Sequence, residues 1–142
     1  MTVETQQSDF DRELEILRSE FVHMSLTRPH FVVIFGSWVS CHHGAAYGPP
    51  NDIDVLIVTE ARCTGLDASF HVLVEHAESC EDRISQSGKW IPVNFTVRTL
   101  REWMDPEDPL LGDVRSWSHI VLGNKPGEDL VFVNPRPRAN RH

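Results

Sequence analysis

Two aspartates one residue apart, Asp52-Ile53-Asp54, open the apolar run Val55-Leu56-Ile57-Val58, and a Gly36-Ser37 pair closes the earlier run His30-Phe31-Val32-Val33-Ile34-Phe35. Both runs are rich in aromatic and β-branched residues and predict strands. Strand side chains alternate faces, so Asp52 and Asp54 are expected on one side of the sheet, with Ile53, Val55 and Ile57 turned to the core. Two carboxylates ~5 Å apart repel by roughly 3 kcal/mol at an effective dielectric of about 20. A hard divalent cation, Mg²⁺ or Mn²⁺, removes that conflict and takes oxygen ligands. At Gly36 a strand end without a Cβ lets backbone N–H groups and the Ser37 hydroxyl come close to a phosphate, and a helix starting after Ser37 adds a favourable dipole. An isolated Asp-x-Asp at a strand start more often caps a loop or pairs with arginines. The Gly-Ser turn on a neighbouring strand tips the reading toward a metal–phosphate site suited to phosphoryl transfer.

Other residues with chemical potential are weaker. Trp38 is equally suited to stacking on a nucleotide base and to packing in the core, whereas Trp90, Trp103 and Trp117 read as core or interface residues. Cys41-His42-His43 has no paired Cys-x-x-Cys or His-x-x-x-His, so loop histidines facing solvent or substrate are expected rather than zinc ligands. Ser37 lacks the Gly-x-Ser-x-Gly surround of a nucleophile elbow. In haloacid-dehalogenase-type phosphatases the Asp-x-Asp ends an apolar strand, but here it begins one, which disfavours that chemistry. The Asp-x-Asp of metal-dependent glycosyltransferases stays open, although 142 residues is short for that group.

The elements that must hold these residues follow from periodicity. Phe10, Leu14, Leu17 and Phe21 make one face of a helix over 8–24, with Asp11, Arg12, Glu15 and Arg18 largely on the other. The segment from Ser37 to Asn51 is partly loop, with room for a short helical turn in its first half. Residues 52–58 form a second strand. A helix over 67–87, with the stripe Phe70, Leu73, Val74, Ala77 and Ile84, stops at Gly88. Period-two character marks a strand over 90–97, Thr99 caps a short helix, and 108–117 predicts another. Residues 119–122 and 130–133 are expected as edge strands. The order is that of an α/β domain of the α+β type, one central mixed sheet flanked by helices. It spans residues 1–134, before a Pro/Arg-rich flexible tail at 135–142.

Gly36-Ser37 followed by Asp52-x-Asp54 and an apolar strand resembles the nucleotidyltransferase superfamily, which includes polymerase beta and the minimal nucleotidyltransferases, over about Phe31 to Val97. The resemblance implies that Asp52 and Asp54 ligate Mg²⁺ or Mn²⁺, that Ser37 contacts the phosphates of an NTP, and that a nucleotidyl group passes to a hydroxyl of a small molecule or protein. Fourteen residues separate Ser37 from Asp52, more than in most minimal members. The family's third carboxylate, on a later strand, aligns with Asn94, an amide that ligates through its carbonyl but cannot act as a general base. Glu60, Glu75 and Glu102 are the acidic residues left to replace it. The reading leans toward an enzyme with Asp52, Asp54 and Asn94 as its catalytic positions. The alternative is a catalytically impaired domain of the same fold, kept for nucleotide binding or protein partnership.

With 40% hydrophobic and 24% charged residues, the chain has the balance of one packed domain. Its net charge of −8 argues against a broad grip on nucleic acid, which needs clustered Lys and Arg. The polar, acidic start does not read as a signal peptide, and no apolar run reaches the ~20 residues that span a bilayer. The odd number of cysteines, Cys41, Cys63 and Cys80, suits free thiols, so a cytoplasmic protein without membrane association is expected, with homo- or hetero-oligomers open.

Overall fold

The computed structural model describes residues 3–24, 30–43, 52–60, 68–105 and 107–134, with the side chains of 3–8 and 68–69 outside that description. Cys63 and the expected tail at 135–142 lie outside the described residues. The described elements run α1 (Val3–Leu17), a π-helical turn (Arg18–Val22), β1 (His30–Phe35), α2 (Ser37–His42), β2 (Ile53–Thr59), α3 (Ala68–Ser85), β3 (Val93–Thr99), α4 (Leu100–Trp103), α5 (Pro109–Ser116), β4 (His119–Leu122), a 3₁₀ turn (Pro126–Glu128) and β5 (Leu130–Phe132). The strands form one mixed sheet in the order β3-β2-β1-β4-β5. Only β2 and β3 run parallel, joined through α3, and the other pairs are antiparallel. This is the α+β architecture expected from the order of elements.

Each face of the sheet buries its own apolar layer. On one face Val32, Ile34, Ile53, Val55 and Ile57 meet Leu17 and Phe21, then Trp38 and Val39 of α2, then Leu73, Ala77, Cys80 and Ile84 of α3. On the other, Val33, Leu56 and Val58 pack against Leu111 and Val114 of α5, with Phe31, Phe35 and Trp103 at the margin. Each fully buried side chain of this kind contributes about 1.5–3 kcal/mol. The two layers fix the alternation of β2, and therefore which face Asp54 occupies.

Local signals set the element ends. Thr99 and Glu102 form a capping box, each side chain bonding the other's backbone N–H at 3.0 Å. Asp108 accepts from the Leu111 N–H at 3.0 Å ahead of Pro109. Gly88, at φ +90°, donates to the Ser85 carbonyl and ends α3. β3 begins at Val93 rather than at Trp90, because Pro92 has no N–H to give; its carbonyl instead accepts from the Ile53 N–H at 2.9 Å.

Two expectations are corrected. β4 is internal, paired with both β1 and β5, so of the two short C-terminal strands only β5 is an edge. Arg18 is not on the polar face of its helix but fully buried. Its guanidinium bonds Glu15 at 2.7 Å, the Asp129 carboxylate, and the Gly123 carbonyl at 3.2 Å, which neutralises the charge and ties the π-helical turn to the β4–β5 connection. A polar anchor also joins that turn to α3. Burial raises the Glu20 carboxyl, but hydrogen bonds from Ser79, His76 and Arg83 outweigh it and hold the group below the usual carboxylate range. No helix among the described residues is long and apolar enough to cross a membrane.

Candidate functional site

The sheet register builds the site. Phe35 of β1 lies opposite Asp54 of β2, and Asp54 lies beside Asn94 of β3, so the three form one row across adjacent strands. Asp52, just before β2, and Asp54 are both partly exposed, and Asn94 is exposed. The Asn94 amide donates from Nδ2 to Asp52 Oδ2 at 2.7 Å, bringing β3 into direct contact with the first aspartate. The alignment of Asn94 beside the aspartates thus corresponds to a spatial neighbourhood. The site opens where β2 and β3 begin.

Gly36 joins the turn after β1 to the Asp54 carboxylate. Its backbone sits at φ +87° and ψ −163°, a region essentially reserved for glycine, and it precedes α2 as the N-cap. A Cβ at this position would collide with the Asp54 carboxylate. The glycine therefore admits an acidic side chain against the turn, a closer reason for its presence than phosphate access alone. Ser37, the first residue of α2, is partly exposed beside it. The first N–H groups of a helix have no intrahelical partner, and Gly36 supplies no side-chain cap.

Trp38 is placed differently from a base-stacking residue. It is only 4% exposed, its ring stacks on Phe10 with centroids 4.4 Å apart, and its indole N–H donates to Glu13 Oε2 at 3.2 Å. Of the two roles its sequence left open, the packing is that of a core residue: Trp38 anchors α2 to α1. Glu13 is the residue that sequence reading missed. It is buried, and its second oxygen lies 3.9 Å from Lys89 Nζ. Burial raises its pKa, with Lys89 and the Trp38 hydrogen bond opposing. Its position three residues after Phe10 and four before Leu17 puts it on the apolar face of α1, which was the available signal.

His42 and His43 are also drawn inward rather than free in a loop. The His42 ring stacks on Phe10 at 3.5 Å, and His43 Nε2 is buried with no hydrogen-bond partner among the described residues. Burial lowers both pKa values; for His42 the neighbouring His43 adds to the effect and Asp11 opposes it. Both imidazoles are then less protonated in the folded than in the unfolded chain, so their contribution to stability is present above about 6.5 and is lost as pH falls below it. The thermal midpoint should drop on acidification through this window. His42→Phe, which keeps the stack on Phe10, should drop less, as read by differential scanning fluorimetry of both proteins across the window. Equal drops would remove His42 from the pH dependence.

The other acidic residues stand away from the row. Glu60 follows the far end of β2, six residues or about 20 Å from Asp54 along the strand. Glu102 is engaged in the cap at the far end of β3, and Glu75 lies on α3, which packs on the opposite face. Among the described residues no three His, Cys, Asp or Glu side chains gather into one group. The donor set along the row is two carboxylates and one amide oxygen. Such a set fits Mg²⁺, which is commonly held by one or two carboxylates together with substrate phosphates and waters. Of the other thiols, Cys41 is free and part-exposed, and Cys80 is buried with its pKa pushed far up by desolvation. Comparison with protein-family models, with curated proteins and with solved structures found no match to this chain.

Proposed function

We propose that this chain is a metal-dependent nucleotidyltransferase that moves a nucleotidyl group from an NTP to a hydroxyl of a small molecule or protein. The observation that supports the reading is the fit of Gly36 against Asp54, which brings the turn after β1 against a carboxylate of β2. In this reading Asp52, Asp54 and the Asn94 carbonyl hold Mg²⁺ or Mn²⁺. An ion held there would neutralise charge on the phosphates. The Ser37 hydroxyl and the first N–H groups of α2 receive phosphate oxygens, and Phe35 forms an apolar wall beside them. An acceptor hydroxyl attacks the α-phosphorus as pyrophosphate leaves, its proton passing to water.

A second reading, a nucleotide-binding domain without turnover, is favoured by one contact. The Asn94 amide donates to an Asp52 oxygen and offers no base.

Both readings require coupled binding of metal and nucleotide. Mn²⁺ should bind more tightly with an NTP present, and Asp52→Asn or Asp54→Asn should weaken that coupled binding by about tenfold, equivalent to ~1.4 kcal/mol. Isothermal calorimetry on the three proteins, with folding checked by circular dichroism, measures this. Nucleotide binding of unchanged strength in both variants, with or without metal, would remove the carboxylates from the site.

A further inference from the structure

Among the described strands β5 alone has all its side chains exposed: Leu130 by 69%, Val131 by 51% and Phe132 by 47%, with Val133 continuing the patch. Burial among the described residues does not explain why this segment is apolar or why it is extended. Among the described residues it pairs only with β4, and polar clamps hold it at both ends. At its start the Asp129 carboxylate accepts from Arg18 and from the Gly123 N–H at 2.8 Å. At its end Asn134 donates its N–H to Ser118 Oγ at 2.9 Å and its amide to the Ser116 carbonyl at 2.8 Å. An uncharged, pre-extended strand with an open edge is a template for another strand, and proteins that avoid such pairing place charges or prolines there. The opposite edge strand, β3, carries one charged side chain, Arg98. β5 carries no such group.

We propose that β5 is a homodimer interface, pairing antiparallel with β5 of a second copy about a two-fold axis at Val131 to make a continuous ten-stranded sheet. The partner is identified by self-complementarity. Read in either direction about Val131, the strand puts a large apolar residue on each side, so Leu130 faces the partner's Phe132 and Val131 faces the partner's Val131. No charge meets a like charge within the ladder, and Asp129 at its margin is already neutralised by Arg18. The interface is independent of the nucleotide site. A strand this short buries less than about 1,200 Å², which places the dimer in the weak, micromolar class. Each copy carries a net charge of −8, so association should tighten several-fold between about 0.01 M and about 1 M salt as the screening length falls from ~30 Å to ~3 Å.

Sedimentation velocity over micromolar to submillimolar loading tests this. The wild type should shift from monomer to dimer with concentration, more readily at high salt. Val131→Lys, which sets like charges together on the axis, should stay monomeric with an unchanged circular dichroism spectrum. Independently of that variant, Val131→Cys should give a covalent dimer on mild oxidation, because directly opposed strand residues lie within disulfide reach, while wild type and Lys125→Cys should not. A wild type that stays monomeric at all loadings in both salts, a Val131→Lys protein that dimerises like wild type, or a Val131→Cys protein that does not cross-link would each overturn the proposal.

Discussion

Asn94→Asp should raise nucleotidyl transfer by about 10²–10⁴-fold if the site belongs to an enzyme limited by its missing base, the usual worth of general-base assistance. In the wild type the Asn94 amide donates to Asp52, so β3 supplies a hydrogen bond where the resembled family supplies a negative charge. The aspartate would sit in the same row as Asp54 and within bonding distance of the Asp52 carboxylate. Without a cation that arrangement is repulsive, and with one it becomes a third charged ligand. The variant should therefore lose thermal stability in chelator and regain it with Mn²⁺, by about 2.7 kcal/mol at a hundredfold excess over the dissociation constant. The melting experiment tests the placement of residue 94 at the proposed metal site, whether or not turnover occurs.

The activity assay then separates the two readings. Pyrophosphate release and labelling of acceptors should rise in Asn94→Asp if the chain is a transferase. Metal-dependent stabilisation without transfer would identify a binding domain. Robust wild-type turnover abolished by the substitution would show that the amide, through its bond to Asp52, is the functional group.

Gly36→Val should be the most damaging single change at the site. The backbone there adopts a conformation that costs a non-glycine residue about 1–3 kcal/mol, and the new Cβ falls on the Asp54 carboxylate. Relief requires either a changed turn or a displaced Asp54. Both separate the carboxylates from the turn, so NTP affinity should be lost along with a lowered urea midpoint. Ser37→Ala is the companion measurement: it removes one hydroxyl, for about 0.5–1.5 kcal/mol of nucleotide binding, and leaves the backbone as it is. Nucleotide affinity in Gly36→Val equal to wild type would put the phosphate site elsewhere in the molecule.

Residue type and spacing by themselves determined the elements of the fold and much of the row that forms the candidate site. The run of six from His30 to Phe35 is β1 with both its ends, because aromatic and β-branched residues stop abruptly at a glycine. Period two assigned Ile53, Val55 and Ile57 to a buried face, where they lie. Thr99 and Asp108 announced the starts of α4 and α5, since capping is a local interaction between residues three apart. Only the tertiary structure decided which polar side chains are buried and what Gly36 accommodates. Arg18, Glu13 and Trp38 each carry polar atoms whose partners lie far along the chain, at Asp129, at Lys89 and, between the last two, across α1 and α2. Their burial is stable only once those partners arrive, so spacing along one helix could not report it. The contact of Gly36 with Asp54 and that of Asn94 with Asp52 likewise arise from sheet register. Register is set by the two packed layers acting together, and no single segment contains it.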